Sequence, residues 1–107
     1  LKGAHLDGRP WSVAILNPVD RGTIPAAISS GEAIASSGVD YASFTKDKRW
    51  HHIIDPTTLK PANHVVGSTV IGPSAATCDV LSTAVFVMGP SRTREIMARH
   101  YPQYRYW

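Results

Sequence analysis

The sequence is poor in the features that mark several large classes of protein. It holds one cysteine, Cys78, so no disulfide can form within it. That excludes the disulfide-stapled secreted scaffolds and leaves both the cytoplasm and a cysteine-poor periplasmic setting open. No apolar run approaches the roughly 18 residues of a membrane span, and the opening "LKGAHLDGRPW" lacks the apolar core of a signal peptide. A start at Leu1 instead of methionine leads us to expect that something upstream has been removed. Internal repeats and low-complexity tracts are missing too. Charge of one sign is in small excess, with a formal net charge of +3. The basic residues do gather late, Arg92, Arg94, Arg99 and Arg105 lying among Tyr101, Tyr104, Tyr106 and Trp107. Phosphate contacts need such cations and base stacking needs such rings, yet no helix-turn-helix, zinc or RNA-recognition pattern accompanies them. The segment reads as a solvated helix end and a packed tail, with no nucleic-acid partner.

What is present fits one compact domain spanning 1–107: 107 residues with 43% hydrophobic content, a size at which roughly two-thirds of the unfolded surface can be buried. After the "DGRP" turn, Trp11, Val13 and Ile15 alternate with Ser12, Ala14 and Leu16, which predicts a strand over Trp11–Leu16. "TIPAAIS" and "EAIASS" read as two short strands joined around "SSG", with Pro25 confining the first to an edge or a bulge because it has no N–H to donate. "GVDYASFTKDKR" is a polar surface loop with room for a ligand-facing side chain. "WHHII" and the β-branched "HVVGSTVIG" are further strand candidates. The period then changes. Ser74 is placed to cap a helix through "AATCDVLSTAVFVM", closed by Gly89 with Pro90 behind it, and a second helix is expected from near Ser91 to about Pro102. Strands followed by helices predict an α+β fold, mostly antiparallel sheet with two C-terminal helices.

Two constellations bear on chemistry. Asp79 and Thr83 are four residues apart on the first helix, so their oxygens stack one turn above each other. A carboxylate and a hydroxyl suit a hard cation such as Mg²⁺. Equally, Asp79 can favour the positive helix end while Thr83 bonds back to the Asp79 carbonyl, with no ligand at all. Asp79 also adjoins an apolar face, where a buried carboxylate needs a partner. The second constellation is "HHIIDPTTLKP", residues 51–61. In a strand His51 and His52 point to opposite faces and cannot share one metal, so at most one of them joins Asp55 or His64. Asp55 is placed to cap the "DPTT" turn by accepting an N–H from Thr57 or Thr58. His52 is a residue type that titrates near neutrality and can act as a general base, or it is a surface histidine at a strand end. A change at His51 is expected to do little. Cys78 reads as a buried structural thiol.

Taken in order, Pro10-Trp11, Ala35-Ser36-Ser37-Gly38 with Tyr41, His52-Ile53-Ile54-Asp55-Pro56, and Cys78-Asp79-Val80-Leu81-Ser82-Thr83-Ala84 with Phe86 and Gly89 resemble the ApbE family. Its members are FAD-dependent FMN transferases that attach FMN to a threonine or serine hydroxyl of a partner flavoprotein. The resemblance implies that Asp79 and Thr83 are Mg²⁺ ligands, and that His52, Ile53 and Ser37 stand at the flavin nucleotide, with His52 the base for the attacking hydroxyl. It also implies phosphoryl transfer: the acceptor oxygen attacks the FMN phosphorus of FAD and AMP leaves. It points to a periplasmic setting or one anchored to the outer side of the cytoplasmic membrane, with the cytoplasm as the alternative.

The chain departs from the family pattern in places. Ser36 replaces a threonine and keeps the hydroxyl. Thr57 and Leu59 replace residues of an Arg-Thr-Gly segment, and Leu59 takes the place of a glycine that would ease a left-handed turn. The family's N-terminal half does not occur here, nor is its usual final strand evident after Trp107. The chain is therefore expected to be a C-terminal portion or a split subunit that needs the other half, or a partner in a homo-oligomer, to complete an FAD site. The alternatives are a non-catalytic flavin-binding or interaction module, and an FAD pyrophosphatase that yields FMN and AMP.

Overall fold

Trp11–Leu16 forms the first strand, β1, with the burial its alternation demands: Trp11, Val13 and Ile15 are half-buried and the residues between them exposed. The computed structural model describes Gly3 and residues 5–107. β1 pairs antiparallel with β2 (Thr23–Ile28), Trp11 opposite Ile28 and Leu16 opposite Thr23. Pro25 thus sits in a two-stranded ladder, where a strand has a free edge, as its missing donor requires. The next strand, β3 (Ala33–Gly38), is joined to β2 by a turn at Gly31 (φ 88°) but does not pair with it. It lies antiparallel to β6 (Gly67–Gly72), which β7 (Arg105–Tyr106) flanks on the other side. Between them, β4 (Ile54–Asp55) and β5 (Lys60–Pro61) make a small ladder of their own.

Side-chain alternation in β3 and β6 explains the layering. Ile34 and Ile71 face the β1–β2 hairpin and pack on Ala26 and Ile28. Ala33, Ala35 and Val70 face the other way, onto Cys78, Leu81, Val85 and Met97 of the helical element α1 (Ala75–His100). The central sheet is therefore covered on both faces. Each fully buried isoleucine or leucine contributes about 1.5–3 kcal/mol here. Ser74 caps α1, its side chain accepting the Thr77 N–H at 3.3 Å. The two expected helices are the two arms of α1, which meet without a loop at Gly89 (φ 71°, ψ 174°). Glycine is required there twice over: for its positive φ, and because a Cβ would lie 3.0 Å from Cβ of His64. Among the described residues no helix is long and apolar enough to cross a membrane.

Two expectations are corrected. "WHHII" is not a continuous strand: His51 makes one isolated bridge to Ser43, and ladder pairing resumes only at Ile54. The reason is that the His51 ring turns into the core and takes backbone partners for itself. The tail does pack, through buried Tyr104, but it also adds β7 to the sheet, with Arg105 opposite Ile71 and Tyr106 opposite Val70.

Leu59, in the β4–β5 turn, adopts φ 57° with its N–H donated to the Asp55 carbonyl at 2.8 Å. A side chain in this left-handed region costs about 1–2 kcal/mol, and Leu59 is 80% exposed, so no packing offsets it. Leu59→Gly is accordingly expected to raise stability by about 1 kcal/mol, read as a higher thermal midpoint; an unchanged or lower midpoint would count against strain at this turn.

Candidate active site

The end of the sheet where Gly38 pairs with Gly67 carries a group of hydroxyls. Ser36 and Ser37 are neighbours on β3 and so face opposite layers. Ser36 Oγ meets Thr69 Oγ1 at 2.8 Å on the hairpin side. On the helix side, Ser37 Oγ lies 2.8 Å from Ser82 Oγ and 3.0 Å from Thr83 Oγ1. The Ser82 hydroxyl donates to the Asp79 carbonyl at 2.9 Å, and Ser68 Oγ of β6 donates to the Ser82 carbonyl at 2.7 Å. Asp79, Thr83 and Ser37 are thereby gathered, the first two one turn apart beside a cavity of about 770 Å³ that Ile54, Asp55 and His64 also border.

Asp79 is exposed and lies beyond the first turn of α1, so it is neither a buried carboxylate nor a first-turn charge. The back-bond from Thr83 Oγ1 to the Asp79 carbonyl is long, 3.5 Å. Its position leaves the Asp79 carboxylate available to a ligand in the cavity. The donors are a carboxylate and a hydroxyl, both oxygen, which is the set Mg²⁺ takes while keeping several waters. Among the described residues no three of His, Cys, Asp and Glu gather as a metal cluster.

His52 is exposed, with Nδ1 3.1 Å from the Ala42 carbonyl. A carbonyl can only accept, so Nδ1 carries the proton in the neutral ring and Nε2 keeps its lone pair. His51 and His52 do not part to opposite faces, because the segment is not a strand there: their rings meet edge-on with centroids 6.4 Å apart. His51 turns into the core, where it is 0% exposed, its Nε2 meets the Ala62 carbonyl at 3.0 Å, its Nδ1 accepts the Ile53 N–H at 3.3 Å, and its ring packs edge-on against Phe86. The expectation that His51 is replaceable is therefore corrected. Ile53 is 6% exposed, packs with Val39, Ala62 and Phe86, and has both backbone groups bonded, its carbonyl to Ala62 N–H at 3.0 Å. It holds the segment between His52 and Ile54 in place.

Asp55 builds the turn as its sequence context requires. The Thr57 hydroxyl at 2.7 Å and the Thr57 N–H at 2.8 Å hold its carboxyl below the usual carboxylate range, the hydroxyl contributing most. Burial pushes the Cys78 thiol up, in keeping with a structural role. Tyr41, in the polar loop, borders a second cavity of about 620 Å³ together with Ser36, Ser37 and Lys48. Sequence reasoning missed Ser68 and Ser82. Nothing in the spacing of a serine within an apolar helix says that a strand hydroxyl will meet it.

The chain is thus an α+β fold with an antiparallel sheet, in which a capped helix bearing Asp79 and Thr83 and the Ile54-Asp55-Pro56 turn border one cavity. The ApbE family model matches residues 1–106, and the chain belongs to the ApbE family. It is 45% identical over 97 residues to the FAD:protein FMN transferase of Vibrio cholerae serotype O1, covering 86% of this chain and 29% of that protein. Against the FAD:protein FMN transferase of Escherichia coli K12 it is 36% identical over 102 residues, covering 92% and 29%. Among solved structures, the ApbE protein of Thermotoga maritima superposes with a TM-score of 0.82 at 34% identity, over 97% of this chain and 34% of that one. The flavin transferase ApbE of V. cholerae gives 0.75 at 40% identity, over 99% and 34%. The chain thus spans about a third or less of the relatives it matches.

Proposed function

We propose that this chain is the part of an FAD-dependent, Mg²⁺-dependent FMN transferase that holds the metal and the acceptor's base, the remainder of the FAD site coming from the rest of the protein or a partner subunit. The transfer would join FMN through a phosphoester to a threonine or serine of a target flavoprotein. The observation that supports it most is the gathering of the Asp79 carboxylate and the Thr83 hydroxyl at one cavity in a chain 45% identical to an FAD:protein FMN transferase. Asp79 and Thr83 would hold Mg²⁺, which when bound supplies positive charge against the pyrophosphate.

The chain's own residues do the rest. With Nδ1–H given to the Ala42 carbonyl, His52 Nε2 takes the proton of the acceptor hydroxyl. The acceptor oxygen then bonds to the FMN phosphorus, the bond from that phosphorus to the AMP oxygen breaks, and AMP departs with the electron pair. Ile53, locked into the core, and Asp55, which shapes the following turn, keep His52 in place. Incubating the complete protein with FAD, Mg²⁺ and an acceptor flavoprotein tests the reading. Flavin that stays with the acceptor through denaturation, formed together with AMP, is expected. AMP with only free FMN would mean that water is the acceptor, and no AMP at all would overturn the proposal.

A further inference from the structure

The hydroxyls around Thr83 can be given a proton order by counting. Three hydroxyl protons, those of Ser37, Ser82 and Thr83, serve three short contacts: Ser82 to the Asp79 carbonyl at 2.9 Å, Ser37 to Ser82 at 2.8 Å, and Ser37 to Thr83 at 3.0 Å. The carbonyl has no proton to give, so Ser82 donates to it. Ser82 has then spent its proton, and Ser37 must donate to Ser82. Ser37 has in turn spent its own, and Thr83 must donate to Ser37. The reverse order would set the Ser82 oxygen against the Asp79 oxygen at 2.9 Å with no proton between them, leaving only the 3.5 Å contact from Thr83 to that carbonyl. The chain therefore runs Thr83 to Ser37 to Ser82 to Asp79, starting and ending on the two residues assigned to the metal.

Resting on the Mg²⁺ assignment above, we propose that Ser37 and Ser82 are positioning residues that turn the Thr83 hydroxyl so that its proton points into the sheet and its lone pairs point into the Asp79 cavity. A hydroxyl that ligates a cation has to aim its proton away from it, and Ser37 Oγ is the acceptor that permits this. Ser82 acts one step further back. It is 0% exposed, and by accepting from Ser37 it prevents Ser37 from donating to Thr83 and occupying a lone pair the cation needs. The Ser68 hydroxyl, bonded to the Ser82 carbonyl, fixes this turn of α1 against β6.

The test reads metal binding directly, by Mn²⁺ titration of the complete protein followed by electron paramagnetic resonance, with thermal midpoints recorded for every variant. Ser37→Ala and Ser82→Ala are each expected to weaken Mn²⁺ binding by about ten-fold, the low end for a group that orients a ligand, while Ser37→Thr retains it. Placed on top of Thr83→Val, Ser37→Ala should add nothing, because the hydroxyl it orients is gone. An equal further loss in that background would make Ser37 a general structural residue and overturn the inference. So would wild-type binding by both alanine variants when Thr83→Val alone is weakened. Unchanged binding by Thr83→Val would instead remove Thr83 from the metal site, and the inference with it.

Discussion

Asp79→Ala in the complete protein is expected to abolish Mg²⁺-dependent FMN transfer while leaving the fold intact. Asp79 is exposed and makes no side-chain hydrogen bond among the described residues, and alanine is the best helix former, so α1 should gain slightly if anything. What would be lost is the carboxylate proposed to hold the metal. A metal that steadies developing phosphoryl charge is worth several kcal/mol, or about 10³-fold in rate. Thr83→Val keeps the shape and removes one neutral oxygen, so its loss should be smaller. The measurements are Mg²⁺ dependence of AMP release and the thermal midpoint. Normal turnover and normal Mg²⁺ affinity in Asp79→Ala would remove the carboxylate from the site.

The second large effect concerns the histidine pair, and the two members should fail in different ways. His52→Asn removes the Nε2 lone pair but leaves an exposed polar side chain, so transfer at saturating FAD should fall by about 10²–10⁴-fold with the thermal midpoint nearly unchanged. His51→Asn should cost about 2–4 kcal/mol of stability, from a cavity beside Phe86 and the loss of two buried hydrogen bonds. Activity lost at His51 should therefore track lost folded protein. A His52 variant that melts early, or one that transfers normally, would each contradict the base assignment.

Much of this was legible in the sequence because it depended on near neighbours. The alternation of Trp11, Val13 and Ile15, the Ser74 cap, the break at Gly89 and the Asp55 turn are all set within a few residues, and each stands where its pattern required. The Asp79 and Thr83 pairing follows from helix geometry alone. What escaped depends on partners far along the chain. His51 looked replaceable because burial against Phe86 and the Ala62 carbonyl is a tertiary fact. The role of Ser82 is set by a serine 45 residues away. β7 is only two residues long and is defined by β6, not by any pattern of its own.

The position of β6 between β3 and β7 makes this protein its own proofreader of strand register. A slip of one residue reverses which face each side chain occupies. Against β3, such a slip would separate Ser36 from Thr69 and carry Ser68 out of reach of the Ser82 carbonyl, so the error would leave polar groups stranded between layers. Against β7 the check is of another kind. The Tyr104 ring occupies the space that a side chain at Gly72 would fill, so a shifted β6 would bring Ile71 or Pro73 beneath that ring and collide with it. One boundary is policed by bonding and the other by shape, and a mispaired sheet that satisfied one would still fail the other.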